Sequence, residues 1–136
     1  MPANSSKNDK NISSHLIKII FCGFISSLIY FGLIAVFAAA ALKSDFSTSS
    51  YMVAGLIIGA ITGFSGGFII SKMLKEKGAL YGAVCGCVQA LISTIILFMI
   101  NGGTAGKGML ILSAIIIVFS VAGGISGVNL KIKKKY

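Results

Sequence analysis

Residues 55–86 read GLIIGAITGFSGGFIISKMLKEKGALYGAVCG, two apolar runs joined by a short basic link. Glycine recurs at about every fourth position on both sides of that link. At about 100° per residue, Gly55, Gly59, Gly63, Gly66 and Gly67 fall within about 120° of one helical face. Ile57, Ile61, Phe64 and Phe68 point the other way. Beyond the link, Gly78, Gly82, Gly86, Gln89 and Ser93 share one narrow stripe, with Leu80, Val84, Leu91 and Ile95 opposite. In an apolar helix, small residues at this spacing let two backbones approach closely. The pattern predicts a tight hairpin of two membrane helices. An interior glycine costs a helix about 1 kcal/mol relative to Ala, so five in one span make sense only where close packing repays the loss.

Outward from this hairpin, four apolar runs approach or exceed the length needed to cross a bilayer: 19–42, 52–70, 79–100 and 109–128. The fold class is therefore an all-α membrane protein, a four-transmembrane-helix bundle with glycine-zipper packing of helices 2 and 3 as its tightest pair. A polar tail covers 1–15, the transmembrane domain 16–130, and a basic tail 131–136. The chain is 56% hydrophobic and 11% charged, with a mean hydropathy of +0.96, too little charge for the surface of a soluble domain. The first span carries Ala39-Ala40-Ala41 near its end, like a cleavage site, but its apolar run is too long for a signal peptide. Ser13 or Ser14 is expected to cap the first helix after a mobile tail. Gly23, Ser26, Ser27 and Tyr30 fall near one face of that helix, assigned to the bundle interior.

The net charge of +9 does not indicate a nucleic-acid partner. All twelve basic residues are Lys and sit at the ends of spans, where they report topology and contact with anionic lipid. Ten of them lie in the N-terminal, middle and C-terminal segments, against Lys43 and Lys107 alone in the other two loops. The positive-inside bias places both termini and the middle link in the cytoplasm. Lys131, Lys133, Lys134 and Lys135 are expected to touch anionic lipid. Abundant Lys and Ile without Arg suggests an AT-rich bacterial genome and a bacterial cell membrane.

Residues that bear chemistry are few. Cys85 and Cys87 diverge on a helix by their spacing, and with Cys22 read as small buried packing residues. His15 is a lone interfacial histidine. Residues 101–108, NGGTAGKG, fail the phosphate-loop spacing: three residues separate Gly102 from Gly106, and Gly108 follows Lys107. No catalytic, cofactor-binding or metal-binding residue is expected. Thr62 and Ser65 bond their own helix's carbonyls. Gln89, the most polar side chain at mid-depth in any span, is expected to face another helix, with Ser93 on the same stripe, because an unpaired amide in lipid is costly. Gly123 and Gly127, with Ser113 and Ser120, form a weaker packing stripe on the fourth span. Phe24-Ile25-Ser26-Ser27 resembles Leu91-Ile92-Ser93-Thr94, and Gly66-Gly67 resembles Gly123-Gly124, as duplication of a two-helix hairpin would leave them.

The run 55–86, in a short four-span chain with a basic C-terminus, resembles the YrzE-like family of small bacterial membrane proteins. The resemblance implies a multi-pass membrane protein of uncharacterised function, without catalytic residues to carry over. The expected role is a structural, interaction or regulatory membrane component, as a homo-oligomer or within a larger complex, with the lipid bilayer as its constant partner. The alternative is a small oligomeric channel or transporter, including a holin-like pore. Every Asp, Glu and Lys lies outside the spans or at their borders, and there is no Arg, which argues against proton-coupled exchange. Enzymatic activity is not expected, since no nucleophile–base pairing is visible.

Overall fold

The computed structural model describes residues 3–45, 47–75 and 77–132, with side chains over 9–45, 47, 49–75 and 77–130. Four helices follow one another: α1 (Ala3–Ala41), α2 (Thr48–Leu74), α3 (Gly78–Ile100) and α4 (Lys107–Ile132). No strand occurs among the described residues. All four are long and apolar enough to cross a membrane. Without water to bond the backbone in a bilayer, helices that satisfy their own N–H and C=O groups are the stable solution for such runs.

The 39 residues of α1 span about 58 Å at 1.5 Å per residue, well beyond a hydrocarbon core. Residues 3–14, expected as a mobile tail, continue the helix. Ser13 and Ser14 do not cap it: their hydroxyls donate to the carbonyls of Lys10 (3.1 Å) and Asn11 (3.0 Å) one turn back. The helix already runs on both sides of these serines, so no unpaired N–H awaits a cap, and a hydroxyl can share the carbonyl three residues back without breaking the helix. The link between α2 and α3 reverses the chain through Lys75 (φ 60°) and Lys77 (φ 39°), both left-handed, with the Lys75 N–H returning to the Ser71 carbonyl at 3.0 Å. The link between α3 and α4 turns through Gly102 (φ 66°) and Gly103 (φ 85°), where glycine carries no Cβ penalty.

Around the bundle the helices run α1, α2, α4, α3, with α2 and α3 also touching across the middle. Among the described residues α1 makes no close backbone approach to α4. The most extensive contacts join α2 to α4, then α3 to α4. This corrects the expectation that α2 and α3 are the tightest pair. Their glycine stripes converge on α4 instead. A Cβ on Gly63 would stand 2.7 Å from the Ile116 carbonyl oxygen, and one on Gly67 would overlap the Ser120 backbone. From the other side, a Cβ on Gly82 would stand 2.6 Å from the Ser120 carbonyl oxygen, and one on Gly78 would overlap the Gly124 backbone. The physical reason lies in α4 itself. Ser120, Gly123, Gly124 and Gly127 keep that helix thin over two turns, so two backbones can close on it at once. Between α2 and α3, Thr62 and Gln89 place side chains in the gap and hold the axes apart.

The paired positions rise together in α2 and α4 (59 with 112, 63 with 116, 67 with 120), so these helices run parallel; α3 runs antiparallel to α4. The N-terminus of α1, the α2–α3 link and the C-terminus of α4 therefore share one end of the bundle. The side chains facing away from the core, among them Ile57, Ile61, Leu80, Leu91 and Ile95, are apolar and exposed, as a lipid-facing surface requires.

Candidate functional site

The apolar interior holds a cluster of polar side chains at mid-depth. Ser26 and Ser27 on α1, Thr62 on α2, Gln89 and Ser93 on α3 and Ser120 on α4 are all buried. Two of these hydroxyls are spent on their own helix. Ser27 donates to the Gly23 carbonyl at 2.9 Å, and Thr62 to the Ile58 carbonyl at 2.9 Å, as expected for hydroxyls in apolar helices. Ser65 likewise donates to the Thr62 carbonyl at 3.0 Å. Ser120 reaches across to the Gly82 carbonyl at 2.7 Å, a bond made possible by the glycine contact beside it. Thr94 and Ser113 join α3 to α4 at 2.9 Å.

Gln89 is fully buried and donates through Nε2 to Thr62 Oγ1 at 3.1 Å, an interhelical bond of the expected kind. Its Oε1 atom and the hydroxyl of Ser93, one turn further along α3, have no hydrogen-bond partner. Both are buried acceptors in an apolar environment, where an unmade bond is costly. Ser26 stands close by: a Cβ on Gly66 would lie 2.5 Å from Ser26 Oγ and 3.6 Å from Gln89 Oε1.

One turn beyond this cluster, away from the lysine-rich end, a cavity of about 350 Å³ opens among all four helices. Tyr30, Leu56, Ile58, Leu97 and Leu112 form its deeper walls, and Tyr51, Met52, Asn101 and Gly106 its exposed rim. Gly55 belongs to this wall. A Cβ added there would meet nothing within 4 Å, so Gly55 packs against no helix, unlike the other glycines of its stripe.

The other glycines expected to pack each meet a neighbour. A Cβ on Gly59 would stand 2.8 Å from Leu112 Cδ1, one on Gly86 would stand 2.7 Å from Ser120 Cβ, and one on Gly127 would stand 2.8 Å from the Phe68 carbonyl oxygen. A Cβ on Gly123 would overlap the Phe64 backbone. Gly66, on the same α2 stripe, turns to α1 instead. Lys133, Lys134 and Lys135 lie outside the described residues, and Lys131 is described only as backbone near the end of α4.

Cys85 is buried and Cys87 exposed, as their divergence on a helix requires. Cys85 is not isolated, however. It packs with Cys22, Ile19 and Ile70 in one buried cluster that joins α1 to α3, and the Cys22 thiol donates to the Gly66 carbonyl at 3.6 Å. Sequence spacing gave no signal of this pair, because sixty-odd residues and two turns separate its members. Nothing in the sequence pointed to the cavity either, since Gly55 has the same spacing as its buried neighbours. His15 packs against Tyr81 with ring centroids 6.3 Å apart, near the lysine-rich end.

Four apolar helices around a small-residue core define a multi-pass membrane protein. The chain belongs to the DUF3792 family, described as a protein of unknown function, which it matches over residues 15–127. That span takes in α2 and α3 whole, most of α1 and α4, and both the polar cluster and the cavity. The match carries the DUF3792 description alone and not the YrzE-like name. No curated protein matches the chain. No solved structure matches it.

Proposed function

We propose that this chain is a structural or regulatory component of a bacterial cell membrane, holding a partner membrane protein or a second copy of itself. Its work is association rather than catalysis, and it needs no cofactor. The observation that carries this reading is the double grip on α4, where glycines of α2 and α3 bring three backbones together around Ser120. Such packing makes a stiff frame from a short chain. Because those glycines are used within the bundle, a partner would meet the outward faces, such as Phe21 and Phe24 on α1 or Val118 and Phe119 on α4. The excess of lysine at one end supports cytoplasmic termini, and lysine without arginine supports a bacterial source. The glycine-rich run supports kinship with the YrzE-like proteins.

Crosslinking in native membranes, followed by purification and mass spectrometry, tests the reading. A distinct partner or a defined oligomer, weakened by Phe24→Ala on α1 or by Phe119→Ala on α4, is the expected result. Recovery of monomer alone contradicts it.

A second reading, passage of a small neutral solute, is favoured by the unpartnered Gln89 Oε1 and Ser93 hydroxyl at mid-depth. It predicts solute flux in liposomes that disappears with Gln89→Leu. Flux equal to that of protein-free vesicles contradicts it.

A further inference from the structure

The cavity between the four helices has a structural origin. Contact between α2 and α4 loosens step by step toward their N-terminal ends. Gly67 and Gly63 meet α4 backbone, Gly59 meets only side chains, those of Leu112 and Ile116 on α4 and Tyr30 on α1, and Gly55 meets nothing. The helices splay, and the space between them is not refilled by a larger residue at position 55. From Tyr51 to Ile58 the lined length of α2 is about 10 Å at 1.5 Å per residue. The volume, about 350 Å³, lies in the range of small-ligand sites.

We propose that this cavity is a binding site for a neutral molecule with a hydrocarbon body. The inference goes beyond the association role and does not depend on it. Among the described residues no charged side chain lines the cavity, so a charged guest would lose its hydration without compensation. Its walls are mostly aliphatic and aromatic, so water would find few partners inside. An unfilled space of this size would forfeit dispersion contacts on every wall. Met52 on α2 and Met109 on α4 both line it, and methionine's flexible thioether adapts to guests of varied shape. Polar groups stand at the two extremes, the Tyr30 side chain at the floor and Asn101 at the rim. A guest with one hydrogen-bonding group and an apolar remainder matches that distribution. The acyl chain of a membrane lipid and a freely partitioning small molecule share this chemistry.

Tyr30 reports occupancy directly. It forms the floor yet is only 1% exposed, so it is shielded from bulk lipid by the helices around it. The chain has no Trp, and with Tyr51→Phe, Tyr81→Phe and Tyr136→Phe, Tyr30 becomes the sole strong fluorophore. In one arm this protein is placed in vesicles of phosphatidylcholine with brominated acyl chains. In the other it is placed in unbrominated vesicles with a neutral bromonaphthalene. The expected result is at least a twofold loss of Tyr30 emission in one or both arms, reversed by Gly55→Leu and by Ala38→Leu. These substitutions fill the cavity from α2 and from α1, so either one suffices if the other fails to fold. Loss in the first arm identifies an acyl chain as the guest, and loss in the second alone identifies a free small molecule. Unquenched Tyr30 in both arms, or quenching that neither filling variant changes, would overturn the proposal.

Discussion

The Gln89 amide nitrogen donates to the Thr62 hydroxyl oxygen across 3.1 Å, joining α3 to α2 in the middle of the bundle. The Thr62 proton is already committed to the carbonyls of Ile58 (2.9 Å) and Gly59 (3.2 Å), so its oxygen can only accept. That fixes which end of the amide faces Thr62, and it leaves Oε1 on the unpartnered side.

An asymmetry between two substitutions follows. Thr62→Val strands a buried N–H donor and should destabilise the bundle by about 1–3 kcal/mol. Gln89→Leu removes the donor and the unpartnered Oε1 together at similar volume, so its cost should stay below about 1 kcal/mol. Equilibrium unfolding in mixed detergent measures both. A larger cost for Gln89→Leu than for Thr62→Val would contradict the assigned geometry.

Much of this arrangement was legible beforehand. The four spans follow from apolar length, and the shared end of the lysine-rich segments follows from four successive crossings. The interior positions of Ser26, Ser27, Tyr30 and Gln89 follow from their stripes. A stripe reports which face is buried, but not which helix covers it. Gln89 was therefore legible as an interhelical contact while Thr62 was not legible as its partner. For the same reason the convergence of both glycine faces on α4 was hidden, since the small residues of α4 gather between 120 and 127 and do not recur at every fourth position along the helix. Gly55 and Gly67 look equivalent in sequence, and only the splay of α2 from α4 separates them. Duplication of a hairpin would seat α1 against α4 as α3 sits against α2; α1 lies against α2 and α3 instead, which the repeated tetrapeptides do not reveal.

Cys22 and Cys85 supply a second test of the α1–α3 contact. Mild oxidation of the purified protein should form an intramolecular disulfide between them, detected as a linked peptide by mass spectrometry. Cys85→Ser should abolish it, and Cys87→Ser should leave it unchanged, because Cys87 is exposed on a different face. A Cys22–Cys87 link instead would show that α3 is rotated from the orientation described.

Lys75 ends α2 in a left-handed conformation, where a side chain other than glycine carries a penalty. Lys75→Gly should raise stability by about 0.5–1 kcal/mol, seen as a higher melting temperature in detergent. A loss of stability would mean that the lysine's own contacts outweigh its backbone cost.

The central claim is that α4 is the helix gripped by its neighbours, and one pair of substitutions on a single stripe tests it most directly. Gly55→Ala and Gly67→Ala make the same chemical change twelve residues apart on α2. Helix propensity alone favours both by about 1 kcal/mol. Unfolding free energies in detergent should show Gly55→Ala neutral or stabilising, because its new methyl enters open space. Gly67→Ala should destabilise by about 1–3 kcal/mol or prevent folding, because its methyl would overlap the Ser120 backbone. Equal effects at the two positions, or a greater loss at Gly55, would contradict the account.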